Sequence, residues 1–339
     1  MRFSGRGAGM NRRDFISLVG GAAAIARPRA AHAQRHEPKR RVAVLMGGLF
    51  SGDPGGQAEA AALEDGLTEL GWKLGDTIEL GYRWPGAEVG SVRAAASEIA
   101  AARPDLVISR STPATIALAN SGLPTIFALV TDPIGSGIVP KLGQPGGNLT
   151  GFSTFESSVG GKWIGLLKEA APAVSRVSLL FNPQTAPFAE SYLHSAQAAA
   201  QTLDASVIAA PCGSDADITA ALEARAREGG GGIIGIAETF VTEHRNLIIA
   251  LAARHRLPAI YGSRIFVPSG GLLAYSADYP DIFRHAAGYA DRILKGTHPG
   301  DLPVQEPDKF TLSVNLKAAA AIGLTLPPSL IARADEVIE

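Results

Sequence analysis

The sequence predicts an α/β protein built from two similar halves, each an open parallel sheet covered by helices. Short apolar runs typical of buried strands alternate with segments in which apolar residues recur at helical spacing. The alternation begins at about Arg41 and restarts after Gly151. Alternating strands and helices form parallel sheets with helices on both faces, so a restarted rhythm indicates two such units.

The first half contains three apolar strands and a more amphipathic one. The predicted strands are Val42–Met46, Thr77–Trp84, Leu106–Ile108 and Ile126–Val130. The residues that carry helical spacing between them are Leu63, Leu67, Leu70, Val92, Ala96 and Ile99. The first strand is therefore separated from the second, and the second from the third, by a segment that can form a covering helix.

The second half repeats this pattern and is followed by a tail of mixed elements. The predicted strands are Val177–Phe181, Val207–Ala210, Ile233–Ile236 and Ala259–Tyr261, with helices at about 186–203, 215–228 and 241–255. The tail contains strand Leu272–Ser276, an amphipathic helix through Ile282 and Ile293, strand Thr311–Val314 and helix Leu316–Ile322. A chain that completes two lobes and then returns to each of them would use these elements.

Composition and charge describe an ordinary globular protein with an unusual N-terminus. The 339 residues are 46% hydrophobic and 19% charged, which fits one or two folded domains. Residues 1–33 hold six Arg and one Asp, whereas the remainder holds 25 basic and 31 acidic residues, a net charge of −6. An acidic body argues against a nucleic-acid partner.

Residues 1–33 have the pattern of a cleavable export signal. Asn11-Arg12-Arg13-Asp14-Phe15-Ile16 precedes a short apolar run that ends at Ile25, and Ala31-His32-Ala33 supplies the cleavage site. The paired arginines resemble a twin-arginine signal; the alternative is an ordinary basic signal. The run is too short to span a bilayer. Cys212 is the only cysteine, so we expect no internal disulfide and no lipid membrane anchor on the signal.

Several short stretches together resemble one protein family. They are GQPGGNLTG at 143–151, Gly161-Lys162-Trp163, RHRLPAIY at 254–261, Leu294–Gly296, Leu302–Gln305 and the terminal ARADEVIE. Residues 41–339 are similar to the ABC-transporter substrate-binding proteins with the type I periplasmic-binding fold, in a proteobacterial branch. Some relatives in this family bind aromatic amino acids.

This resemblance implies two Rossmann-like lobes joined by three crossings, with a small-molecule ligand held in the cleft between them. We place lobe 1 at residues 41–150 plus about 278–308, and lobe 2 at residues 151–276 plus about 309–339. The crossings are expected near Leu149–Ser153, Ala274–Asp278 and Asp308–Thr311. The protein would be a periplasmic monomer that serves an ABC permease in the inner membrane and has no cofactor or metal.

The predicted binding residues follow the carboxyl ends of the strands, where open parallel sheets bind ligands. They are Gly48, Phe50, Ser111, Thr112, Asp132, Phe152, Asn182, Glu238 and Tyr261. Gly48 permits close backbone approach, and a helix that begins near Thr112 and Pro113 favours an anionic group. Asp132 suits an ammonium or hydroxyl group.

Each of these residues also has a structural interpretation. Gly48 could form a turn, Thr112 could only cap its helix, and Asp132 or Asn182 could close an Asx-type turn. Glu238 could face solvent, and the aromatic residues could pack in a core.

The motifs of common enzymes are missing from the sequence. No G-x-G-x-x-G follows a predicted strand, Trp163 stands where a phosphate loop needs Ser or Thr, and Ser136 has no nucleophile elbow. We therefore predict a solute-binding component that delivers a small polar or zwitterionic, amino-acid-like ligand to a permease. The alternatives are an exported α/β enzyme and a ligand sensor without a transport role.

Replacing Arg12 and Arg13 by Lys should leave unprocessed precursor in the cytoplasm, because the twin-arginine route requires both guanidinium groups. Immunoblots of cell fractions measure the outcome. Normal mature protein in the periplasm would contradict the twin-arginine interpretation.

Overall fold

Two β-sheets form the framework of the molecule, as the alternating apolar runs predicted. The computed structural model describes residues 1–2, 38–154 and 158–339. Within these, Lys39–Glu339 forms one unit that contains both sheets. Nearly all of the predicted signal peptide, including Arg12 and Arg13, lies outside the described residues.

The first sheet consists of five parallel strands. They are β1 (Arg40–Met46), β2 (Ile78–Arg83), β3 (Leu106–Arg110), β4 (Thr125–Val130) and β5 (Leu149–Ser153), in the order β2–β1–β3–β4–β5. The helices between them are α1 (Pro54–Glu69), α2 (Val89–Ala102) and α3 (Thr112–Leu118). Every residue of β3, β4 and β5 is buried, because a parallel sheet is covered on both faces.

The second sheet is larger and contains one antiparallel pair. Its strands are β6 (Arg176–Phe181), β7 (Ser206–Pro211), β8 (Gly231–Gly235), β9 (Ala259–Tyr261), β10 (Leu273–Ala277), β11 (Phe310–Asn315) and β12 (Glu336–Ile338). Their order is β12–β11–β10–β9–β8–β6–β7, and only β10 and β11 pair antiparallel among these described strands.

Eight further helices follow β5 along the chain. They are α4 (Val159–Ala170), α5 (Ala189–Gln201), α6 (Asp215–Arg227), α7 (Thr239–Glu243), α8 (Arg245–Arg254), α9 (Tyr279–Leu294), α10 (Leu316–Ala321) and α11 (Pro328–Ala332). Capping residues explain several of the helix starts. Asp53 caps α1, Ser214 caps α6 and Asp278 caps α9, each by accepting hydrogen bonds from first-turn N–H groups.

Helix α9 returns the chain to the first sheet. Its residues Ile282 and Ala286 share one apolar core with Val44 of β1 and Leu63 of α1. A Cβ on Gly66 of α1 would lie only 2.9 Å from the Cβ of Ala287, so glycine permits this close packing. Strand β11 then rejoins the second sheet. This path supports our proposal for the lobes, residues 41–150 with about 278–308 and residues 151–276 with about 309–339, although β5 extends the first sheet to Ser153.

Two local features differ from the sequence predictions. Residues Leu149–Ser153, near which a crossing is expected, form strand β5, which the sequence analysis did not predict. This strand can pair with β4 because Gly151 has φ of +154°. A Cβ on Gly151 would lie 1.9 Å from the carbonyl oxygen of Phe127. The helix predicted at 241–255 is two helices that meet at His244, and the first begins early because the Glu238 side chain caps it.

Gly160→Ala should destabilise the protein, because α4 packs closely on α5 at this residue. The added Cβ would lie 2.4 Å from the carbonyl oxygen of Tyr192, a backbone atom that cannot move aside alone. We expect a loss of about 1–3 kcal/mol in the free energy of unfolding, measured in urea.

Gly165→Ala is the matched control within the same helix. Its Cβ would meet no atom of the described residues within 4 Å. It should raise stability by about 0.5–1 kcal/mol, since alanine is the better helix former. Equal effects of the two substitutions would contradict the packing argument.

Candidate functional site

The carboxyl ends of the two sheets face each other and touch at Gly48. Gly48 follows β1 with φ of +85°, and a Cβ on it would lie 2.6 Å from Cγ2 of Thr239, the first residue of α7. Strand β1 belongs to the first sheet, and α7 follows β8 of the second. The ends of β1 and β8 therefore meet across one cleft between the two sheets.

A cavity of about 340 Å³ in this cleft contains Asp132. The lining comes from both sides: from the segment after β4, from β5 and from the first turn of α5. The lining residues are Thr131, Asp132, Pro133, Ile134, Leu142, Ser153, Phe188, Ser191, Tyr192 and Glu306. Of the nine predicted site residues, Asp132 is the one that borders this cavity within the described residues.

Asp132 has the turn-closing contact that the sequence allowed as its alternative role. Its φ is +44°, and its Oδ1 accepts a hydrogen bond from the backbone N–H of Gly135 at 2.8 Å. A Cβ on Gly135 would lie 2.1 Å from Oδ2, so the glycine makes room for the carboxylate. A carboxylate has acceptor sites for several hydrogen bonds, and the turn therefore leaves capacity for a ligand.

Ser111 and Thr112 lie at the end of β3, but the predicted capping role of Thr112 was wrong. Ser111 occupies the N-cap position of the seven-residue helix α3, and Thr112 Oγ1 instead accepts from the N–H of Thr131 at 3.1 Å. Ser111 is held at φ of +83°, and its buried hydroxyl has no hydrogen-bond partner among the described residues. The buried hydroxyl of Thr239 is in the same situation.

Asn182 and Glu238 form one buried network at the ends of β6 and β8. Glu238 accepts hydrogen bonds from Thr185 Oγ1 at 2.7 Å and from the N–H groups of Asn182, Phe240 and Val241. Burial raises the pKa of Glu238 to about 7, against the opposing effect of these donors. The Asn182 side chain closes its own turn through the N–H of Gln184. Glu238 therefore caps α7 and does not face solvent.

The three aromatic residues predicted for the site lie apart from the Asp132 cavity. Phe50 is 56% exposed and lies against Gly86. Phe152 is buried beside Tyr289, with ring centres 4.9 Å apart. Tyr261 is buried and stacks on Phe266 at 4.0 Å.

Residues that the sequence analysis did not select complete the cavity. Phe188 and Tyr192 pack edge to face with ring centres 5.8 Å apart at the start of α5. Burial raises the pKa of Tyr192, since a phenolate there would lose its hydration. Phe188 and Tyr192 lie at the start of the helix that follows the end of β6. Their place in the first helical turn after a strand end was the sequence signal that could have identified them.

A buried ion pair between Arg110 and Glu59 contacts the backbone of the turn at Gly47 and Gly48. Arg110 donates from Nε to Glu59 Oε2 at 2.6 Å, from Nη2 to Oε1 at 3.2 Å and from Nη1 to the carbonyl oxygen of Gly47 at 2.9 Å. The two charged side chains are 8% and 3% exposed. Breaking such a pair would leave a buried charge without its partner, which is costly. The pair therefore fixes the position of Gly47 and, through it, of Gly48.

A second, larger cavity of about 660 Å³ lies beside this ion pair. Glu59, Arg110, Arg245, Tyr279 and Lys309 are among the residues that line it. Several of its charges are paired: Arg110 with Glu59, Arg264 with Glu336, and Lys309 with Asp278 at 2.6 Å. The smaller cavity differs, because its lining includes the carboxylates Asp132 and Glu306 and no Lys or Arg within the described residues.

Residues 1–2, 38–154 and 158–339 contain no group of three or more His, Cys, Asp or Glu side chains that could hold a metal ion. None of the helices in those same ranges is long and apolar enough to cross a membrane.

The sequence matches the family model for ABC transporter substrate binding proteins over residues 46–338. The chain therefore belongs to this family, as the resemblance indicated, and it is the solute-binding protein of an ABC transporter. The narrower assignment to a proteobacterial branch stays a prediction.

Three proteins are similar to this chain. The tyrosine-binding protein of Clostridioides difficile (strain R20291) is 24% identical over 267 residues, which cover 76% of this chain and 74% of that protein. A conserved domain protein from Vibrio cholerae has a solved structure with TM-score 0.80 and 28% identity, covering 88% of this chain and 99% of its own. The ABC domain of Streptococcus pneumoniae in complex with L-Trp has TM-score 0.80 and 24% identity, with 88% and 100% covered.

These findings confirm the predicted fold of two lobes with largely parallel sheets. The family and its relatives are ligand-binding components of transporters and not enzymes, so the alternative of an exported enzyme is set aside.

Proposed function

We propose that this protein is the periplasmic component of an ABC importer and captures a small, amino-acid-like zwitterion between its lobes. The observation that carries the proposal is the position of Asp132, which borders a cavity lined from both sheets. The ligand would be held by Asp132 on one side and by the first turn of α5 on the other.

The charge of the cavity supports an ammonium-bearing ligand. Asp132 and Glu306 are the charged residues in its described lining, and both are acidic. A charge-assisted hydrogen bond from an ammonium group to a carboxylate is stronger than one between neutral groups. The hydroxyl group of Ser191 can donate to the carboxylate of the same zwitterion, and that of Thr131 can do so when Thr154 is the donor of the bond between the two threonines.

The apolar part of the lining supports a ligand with a hydrophobic side chain. Phe188 and Tyr192 supply aromatic surface, and Ile134 and Leu142 supply aliphatic surface. Tyrosine and tryptophan are the ligands named for two of the similar proteins, so these amino acids are the first to test.

The transport role follows from the family. A solute-binding protein of this kind works with an ABC permease, which we place in the inner membrane, and it meets its ligand outside the cytoplasm. We propose export as a twin-arginine precursor, a monomeric state and closure of the lobes on the ligand by bending at the crossings.

Asp132→Asn should weaken binding roughly ten- to hundredfold, because a hydrogen bond to a charged group contributes about 1.5–3 kcal/mol. Asparagine keeps the acceptor for the Gly135 N–H and tolerates a positive φ, so the turn should survive. Calorimetric titration with L-tyrosine and L-tryptophan, or with an amine found by mass spectrometry in the purified protein, measures the loss. The melting temperature of the unliganded variant should stay nearly unchanged.

Asp204→Asn is the matched control. Asp204 also has a left-handed backbone, with φ of +47°, but it is exposed on the loop between α5 and β7. This variant should bind like the unmodified protein. Full affinity in Asp132→Asn would remove Asp132 from the site, and a large loss of unliganded stability would favour a turn-closing role alone.

A further inference from the structure

An ion pair connects the two sides of the cleft at a distance from the Asp132 cavity. Arg245 Nη2 donates to Asp53 Oδ2 at 2.6 Å, and the two side chains are 17% and 5% exposed. Asp53 precedes α1, which packs on the first sheet, and Arg245 begins α8, which packs on the second. Neither residue lines the cavity that contains Asp132.

Both charged groups are held in place by contacts within their own lobe. Asp53 Oδ1 accepts from the N–H groups of Gly55 and Gly56 as the N-cap of α1. Arg245 Nη1 donates to the carbonyl oxygen of Thr242 at 3.1 Å. Because each partner is already oriented, little side-chain entropy is lost when the pair forms.

The net contribution of this ion pair to stability depends on how many of its buried polar atoms have hydrogen-bond partners. Burial of two charges costs desolvation free energy, which good geometry and further hydrogen bonds offset. Both oxygens of Asp53 accept hydrogen bonds here, and Nε of Arg245 is its one nitrogen without a partner among the described residues. The close approach of Gly48 to Thr239 is a second contact between the same two lobes.

We propose that the Asp53–Arg245 ion pair, here called the latch, favours the closed arrangement of the lobes before a ligand binds. In the closed arrangement the two residues are in contact, as they are in this structure. The proposal rests on the lobe closure proposed above. Because only the closed arrangement contacts the ligand from both sides, a larger closed population raises the apparent affinity in proportion. The latch would also slow ligand release, as buried charge pairs between two bodies commonly do.

The test measures the distance between the lobes and needs no ligand. Spin labels are placed at Asn120→Cys in the first lobe and Ala220→Cys in the second, both exposed, in a Cys212→Ala background. Electron–electron double resonance then compares the doubly labelled protein that retains Asp53 with the same protein carrying Asp53→Asn. This substitution keeps a capping acceptor but removes the charge. We expect the ratio of open to closed molecules to rise about tenfold or more.

Three further variants test whether the opening of the lobes arises from the loss of this ion pair. Asp53→Asn combined with Arg245→Gln should open no further than either single variant, since both remove the same interaction. Glu88→Gln, at the side chain that caps α2 through Gly90 and Ser91, should leave the distances unchanged. Thr239→Phe, a wedge against Gly48, should open the lobes whether or not the latch exists.

The outcomes separate the latch from closure itself. Opening by Thr239→Phe together with unchanged distances in Asp53→Asn would overturn the latch and leave lobe closure intact. Unchanged distances in both variants would overturn the latch and closure together. Opening by Glu88→Gln, or additive opening in the double variant, would also overturn the assignment to this pair.

Discussion

The close approach of Gly48 to Thr239 is the contact on which the arrangement of the cleft depends. It brings the ends of the two sheets together, with a left-handed glycine on one side and the first residue of α7 on the other. The buried Glu59–Arg110 pair holds the glycine turn through the carbonyl oxygen of Gly47. The cavity around Asp132 and the interlobe ion pair both require that the lobes meet in this way.

Buried charge is concentrated where the lobes meet. Glu59, Arg110 and Asp53 are buried on the first-lobe side, and Glu238 is buried on the second-lobe side. Such groups cost desolvation free energy, and each is matched here by hydrogen bonds of fixed direction. They position the turns and helix starts at the strand ends, and Asp132 and Glu306 are the carboxylates among the described residues that line the smaller cavity.

Much of the fold could be predicted from the sequence, because buried parallel strands appear as apolar runs such as Ile126–Val130. Strand β5 was missed because Thr150 and Gly151 separate its apolar residues, so no apolar run marks the strand in the sequence. Its pairing with β4 also depends on the close approach of Gly151 to Phe127. In the site, Asp132 could be selected from its place after a strand. Tyr192 could have been found only from its place in the first helical turn after β6. The Asp53–Arg245 pair could not be found, because this contact joins residues 192 positions apart and depends on how the lobes meet.

A crystal structure of the protein with the small molecule that co-purifies with it, or with L-tyrosine or L-tryptophan, tests the proposed site most directly. The ligand should lie between the segment after β4 and the first turn of α5, with its amine within hydrogen-bond distance of the Asp132 carboxylate. A ligand bound instead in the larger cavity beside Arg110, with Asp132 contacting only its own turn, would contradict it.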